Sequence, residues 1–187
     1  MPVVDHGAKR SKPETRNLSP TPALTTLGIV SDTHGYFHPD LLDEFEGVDH
    51  ILHAGDIGDL SIIDALEAVA PVTSVYGNVD GWDIRHRSAE HQRLTVDGVN
   101  IWMTHIAGRP GAWQRGMGQK LRKDPPDVFV CGHSHILRIE RVEAMSNMLF
   151  LNPGAAGRQG FHQKKTVVRL MLDDGAPTSA DVVHLDE

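Results

Sequence analysis

Cysteine is almost missing from this sequence, with Cys131 the one thiol in 187 residues. A disulfide framework and a Cys-rich zinc ribbon both require several thiols, so both are excluded. Basic charge is also short: 18 Lys and Arg stand against 25 Asp and Glu, for a formal net charge of −7 and an isoelectric point of 5.9. That balance provides no general field for holding polyanions and gives no strong nucleic-acid-binding signal. Long apolar runs are absent, since stretches such as Val128 to Cys131 fall far short of the roughly 20 residues needed to cross a bilayer. The N-terminus carries no apolar signal core. Together these absences predict a reducing, cytoplasmic location without a membrane anchor.

What is present fits one globular domain: 40% hydrophobic residues can fill a sizeable core, and 12 histidines leave ample imidazole for metal or proton chemistry. Residues 1–24 hold Pro2, Pro13, Pro20 and Pro22 among polar residues without apolar periodicity, which predicts a disordered or loosely docked arm preceding a single domain over 25–187. From Thr26 the pattern alternates strand and helix. Leu27 to Val30 reads as a strand, and Pro39 opens a helix with Leu41, Leu42 and Phe45 on one face. Ile51 to Ala54 is a second strand. Ser61 then caps a helix carrying Ile62, Ile63, Leu66 and Val69, and Val72 to Tyr76 is a third strand. Two such crossovers imply a parallel sheet.

After Asn78 the rhythm changes. Asp97-Gly98 joins Gln92–Val96 to Val99–Met103 as a hairpin. A Gly-rich stretch over 108–118 leads to a helix at Gln119–Lys123 and a buried strand at Asp127–Cys131, and β segments follow at 136–142, 148–151, 166–172 and 181–185. The expected architecture is α/β, with two mixed sheets and helices outside.

The strand ends carry the chemistry. The strands run in turn into Asp32-Thr33-His34, Gly55-Asp56, Gly77-Asn78, Thr104-His105 and Gly132-His133-Ser134-His135. Carboxyl ends of strands in α/β sheets face one crevice, so these residues are expected to converge. Seven oxygen and nitrogen ligands exceed the roughly four of a tetrahedral zinc site and suit two divalent ions sharing a carboxylate. Any one of these motifs alone is an ordinary turn device; their number makes the case. His38, His50, His53, His86, His91, His162 and His184 are read as packing or surface residues, with His6 in the arm. Cys131 is read as a small core residue with no activating neighbour.

The ordered set Asp32-x-His34, Gly55-Asp56, Gly77-Asn78, His105 and Gly132-His133-x-His135 resembles the signature of the calcineurin-like metallophosphoesterases, over about residues 26–172. The short chain without a cap domain is similar to the small YfcE-like phosphodiesterase branch, and to a metal-poor retromer subunit. The resemblance implies a four-layer α/β/β/α sandwich. It places one metal on Asp32, His34, Asp56 and His135, and another on Asp56, Asn78, His105 and His133, with Asp56 bridging. The implied cofactors are two divalent ions, Mn²⁺ first, with Fe²⁺, Zn²⁺ or Ni²⁺ as alternatives.

The implied reaction is hydrolysis of a small phosphodiester by a metal-bridging hydroxide, with Asn78 orienting the phosphate; a homodimer is plausible by the same likeness. Many relatives place a general-acid His where this chain has Val79, and a Gly directly after the His where it has Ile106. Arg109 and Arg158 are candidate phosphate contacts, and Asn152-Pro153-Gly154 is a turn. The competing readings are a protein-interaction scaffold with the same fold and little catalysis, and a nuclease.

Overall fold

Period-two alternation in the apolar runs builds two five-stranded sheets that share one core. The computed structural model describes residues 24–160 and 164–185, so the arm expected over 1–24 lies outside the described residues except for Leu24, as do His6 and His162. In chain order the elements begin with β1 (Thr25–Val30), α1 (Leu41–Glu44), β2 (His50–His53), α2 (Leu60–Glu67), β3 (Val72–Ser74), α3 (Trp82–Arg87), β4 (His91–Val96) and β5 (Val99–Thr104). They continue with β6 (Gly108–Arg109), β7 (Ala112–Trp113), α4 (Met117–Lys123), β8 (Val128–Val130) and β9 (Arg138–Val142). A 3₁₀ turn (Glu143–Met145), β10 (Met148–Asn152), β11 (Lys165–Asp173) and β12 (Ala176–Leu185) complete the described chain.

One sheet has the order β12-β11-β1-β2-β3 and the other β4-β5-β8-β10-β9. The pairs β1–β2, β2–β3, β5–β8 and β8–β10 are parallel and the remaining pairs antiparallel, so both sheets are mixed. Alternation sorts each strand between layers. Leu27 and Ile29 of β1 meet Ile101, Met103, Val128, Val130, Leu149 and Leu151 in the core between the sheets. Val30 and Ile51 point the other way, onto Leu41, Phe45, Ile62, Ile63 and Leu66 beneath α1 and α2. Trp102, Phe129 and Phe150 face the opposite exterior, where Met117 and Leu121 of α4 cover them. The order is helices, sheet, sheet, helix: the α/β/β/α sandwich.

Several local readings shift. The first helix is a single turn in which Leu41 and Phe45 are buried while Leu42 is exposed, because the chain turns away after Glu44. Asp59, not Ser61, caps α2, its Oδ1 accepting from the Ser61 N–H at 2.8 Å. The helix expected at Gln119 begins at Met117, behind Gly116 at φ +82°. The last strand starts at Ala176, because Asp174 and Gly175 both take positive φ and close a second two-residue hairpin like that of Asp97-Gly98. The short β6–β7 ribbon and α3 have no counterpart in the sequence reading. Among the described residues no helix is long and apolar enough to cross a membrane.

Candidate metal centre

Loops at one edge of both sheets are laced together before any ligand is considered. The Asp32 and His34 N–H groups donate to the Gly55 and Asp56 carbonyls at 2.9 Å, and the Gly132 N–H donates to the His105 carbonyl at 3.1 Å. His105 Nδ1 donates to the Ala54 carbonyl at 2.8 Å, joining the second sheet to the first. This pairing forces unusual backbone. Asp32, His34, Asp56, His133 and His135 all lie in the left-handed region, with φ between +50° and +68°. Asp and His tolerate that region better than most residues, yet each such placement costs of the order of 1–3 kcal/mol and persists only where surroundings enforce it.

The side chains converge in two groups, Asp32–His34–His135 and Asp56–His105–His133, each with its candidate ligand atoms within 4.8 Å of one another. Asp32 Oδ2 is occupied, accepting from the Ser31 hydroxyl at 2.6 Å and the His133 N–H at 3.0 Å. That leaves Oδ1 to face the cluster, 3.1 Å from His135 Nε2 but out of hydrogen-bond alignment. Asp56 divides its oxygens the same way: Oδ1 accepts from the Val79 N–H at 3.0 Å, and Oδ2 lies 3.2 Å from His105 Nε2 and 3.9 Å from His34 Nε2. One oxygen of Asp56 thus stands between the two groups. His34 Nε2 and His135 Nε2 approach to 3.2 Å.

Asp32 Oδ1 and His105 Nε2 are fully buried without a hydrogen-bond partner among the described residues. Buried polar atoms are rarely left so, and two of them aimed at facing imidazoles and a second carboxylate fit divalent cations of N/O preference. The hydrogen bond from His105 Nδ1 to a carbonyl fixes the tautomer that presents an unprotonated Nε2 to the cluster. Electrostatics agree. At His135 the adjacent Asp32 carboxylate raises the pKa; at His105 burial lowers it, but Asp56 and Asp32 outweigh burial and the net shift is upward. Burial alone would raise the Asp56 pKa, but His105, the Val79 N–H and His34 hold it below the ordinary carboxylate range. His34 is lowered by burial, against Asp56 and Asp32.

Of the seven expected ligands, six stand in these groups, and Asn78 lies exposed at the edge of an open cavity of about 370 Å³ that His105 also lines. Arg158 stacks over the Tyr36 ring at 3.9 Å, two residues beyond His34, and its neighbour Gly157 donates to the Asp32 carbonyl at 3.0 Å. Arg109 is exposed, and among the described residues its guanidinium reaches only the adjacent Pro110 carbonyl at 3.5 Å, which does not tie it to the cluster. Cys131 is buried, and burial pushes its thiol up to about 12, as suits an inert core residue.

Two supporting residues escaped the sequence reading. Asp80 is buried and accepts from the Gly77 and Gly58 N–H groups at 2.7 and 2.8 Å, tying the Asn78 loop to the loop after Asp56. Asn152 is more than a turn residue: its Nδ2 donates to the Gly132 carbonyl at 2.8 Å and to Ser134 Oγ at 3.1 Å, and its Oδ1 accepts from the Gly154 N–H at 3.0 Å. It therefore holds the loop that carries His133 and His135. Glycine is required at 77 and 132 for space, since a Cβ at Gly77 would strike the Asp56 carboxylate and one at Gly132 would strike Ser31 Oγ.

Comparison with known proteins agrees with this geometry. Residues 26–175 match the model of the calcineurin-like phosphoesterase superfamily domain. A probable metallophosphoesterase of Methanothermobacter thermautotrophicus is 34% identical over 144 residues, covering 69% of this chain and 76% of that protein. Among solved structures, a conserved, predicted phosphoesterase from Streptococcus pneumoniae superposes with a TM-score of 0.67 at 22% identity, covering 88% of this chain and 91% of its own. Wild-type Vps29 complexed with Zn²⁺, from Entamoeba histolytica, gives 0.63 at 19% identity, covering 87% and 100%. These two establish likeness of fold. The matched span contains every strand-end motif from Asp32 to His135, and the chain belongs to the calcineurin-like phosphoesterase superfamily.

Proposed function

We propose that this protein is a binuclear metal-dependent phosphodiesterase acting on small phosphodiesters. The observation that carries the reading is the pair of ligand groups with Asp56 Oδ2 between them. Asp32, His34 and His135 would hold one divalent cation and Asp56, His105 and His133 the other, with Asp56 shared and Asn78 contributing at the second. Bound there, two such cations supply Lewis acidity toward a phosphoryl group and lower the pKa of an attacking water. The protein's own part is positioning. His105 is locked by Ala54, Asp32 by Ser31 and the His133 N–H, and Asp56 by the Val79 N–H, so the ligands are set before substrate arrives.

The Asn78 carboxamide, exposed in the cavity that His105 also lines, would donate to a phosphate oxygen. Val79 exchanges no proton. Because general-acid help is worth about 10²–10⁴ in rate, turnover should favour arms that leave as stabilised anions, such as phenolates, over basic alkoxides. Mn²⁺ is the first choice of metal, and the Zn²⁺ of the Vps29 complex makes zinc the second.

The test is hydrolysis of a bis-aryl phosphodiester and the matching monoester by protein stripped of metal and reloaded with Mn²⁺, beside Asp56→Asn. Metal-dependent turnover favouring the diester, lost in the variant together with metal stoichiometry, is expected. A scaffold is favoured by one observation, the exposed Val79, Trp82 and Ile136 on or next to the ligand loops. Two bound metals without turnover of either ester would select it.

A further inference from the structure

The cavity beside the candidate metal centre carries charged side chains of both signs. Besides Asn78 and His105, its lining includes Tyr76, Arg85, Glu90 and His91. Arg85 is anchored: its Nε donates to the Asp80 carbonyl at 2.7 Å, its Nη2 to the Gly77 carbonyl at 3.4 Å, and its guanidinium lies 4.6 Å from the Tyr76 ring centre. Arg85 pairs with no carboxylate among the described residues, and its Nη1 has no partner there. Glu90 is held by Tyr76, whose hydroxyl donates to its Oε2 at 3.3 Å, and its other oxygen likewise has no partner among the described residues. Although both side chains line one cavity, they do not form an ion pair with each other.

Both side chains are exposed and met by solvent in the free protein, so a ligand that enters the cavity must replace that water with an acceptor for the guanidinium and a donor for the carboxylate. An arm ending in a second phosphate would meet repulsion from Glu90. A plain alkyl arm would cover both charges and compensate neither. A neutral, hydroxylated alcohol satisfies both at once. The geometry points to this cavity as the subsite for a hydroxylated arm of the phosphodiester, a sugar or polyol, with Arg85 and Glu90 as its specificity-determining residues. This rests on the phosphodiesterase reading above.

Two colorimetric diesters test it with the Mn²⁺-loaded protein: p-nitrophenyl ethyl phosphate, and the p-nitrophenyl diester of a methyl riboside 5-phosphate. Both expel the same phenolate, so their ratio of kcat/KM reports only the retained arm. The riboside diester should be preferred by at least about tenfold, the scale of a hydrogen bond to a charged group. Arg85→Gln and Glu90→Gln should each reduce that preference about tenfold. Arg85→Gln is checked for metal content because Arg85 Nε holds the Asp80 carbonyl. Glu90→Gln is independent of that concern, since its carboxylate bonds only Tyr76 among the described residues. Equal kcat/KM for the two probes, or a preference that survives Glu90→Gln, overturns the subsite while leaving the phosphodiesterase standing. Failure to hydrolyse either probe overturns both.

Discussion

His53 sits inside β2 with both ring nitrogens engaged: Nδ1 accepts from the Gly55 N–H at 3.2 Å, and Nε2 meets Thr33 Oγ1 at 3.0 Å, whose hydroxyl donates to the Ile57 carbonyl. That arrangement requires the neutral ring, and burial lowers its pKa from 6.5 to about 4. The folded state therefore binds fewer protons than the unfolded one between those values. The resulting stability is fully present above about pH 6.5 and is lost as pH falls toward about 4, a loss on the order of 3 kcal/mol. The stability difference between wild type and His53→Gln, followed by urea unfolding across that window, should shrink as pH falls; a difference independent of pH would refute the assignment. At this scale the candidate ligands at the strand ends were legible because Asp, Asn and His recur after apolar runs. Asp80 and Asn152 were not, because their partners Gly58 and Gly132 lie 22 and 20 residues away.

Strands carry the candidate ligands at their ends, and the loops decide how firmly these are held. The loop over Gly132–His135 follows β8 and hangs on Asn152 at the end of β10. Asn152→Ala removes those hydrogen bonds and leaves buried backbone unpaired, so stability should fall by about 1–3 kcal/mol and metal affinity by about 10–100-fold. Thermal unfolding and a Mn²⁺ titration would check both; unaltered affinity would reduce Asn152 to a turn. Strands were easier to read than helices here. Short apolar runs mark β1, β5, β8 and β10 clearly, whereas α3 buries only Ile84 of its six residues and shows no helical period. The extent of α1 was misread for a related reason: its face was drawn to Leu42, but one turn is too short to bury both leucines.

Across the whole molecule, the centre concentrates cost. Five candidate ligand residues occupy left-handed backbone, and two of its buried polar atoms have no partner among the described residues. Both costs are offset if cations bind the folded state alone. Metal at about 100 times its dissociation constant contributes about 2.7 kcal/mol, which for a chain of this size raises the unfolding midpoint by roughly 5–10 °C. Calorimetry of stripped and Mn²⁺-loaded protein measures this directly, and identical midpoints would count against both sites. Metal should also bind more weakly as pH falls, because His105 and His135, whose pKa values their carboxylate neighbours raise, must first lose protons.

The order of apolar runs by itself determined two mixed sheets with helices outside, because alternation and turn chemistry are local. The spacing of Asp, Asn and His after those runs determined which residues to watch. Only the tertiary structure decided which carboxylate oxygen faces the cluster, which loops are sewn together, and that Arg85 and Glu90 share a cavity with His105. Those outcomes depend on hydrogen bonds and contacts between segments far apart in the chain, and no local pattern encodes where two distant loops meet.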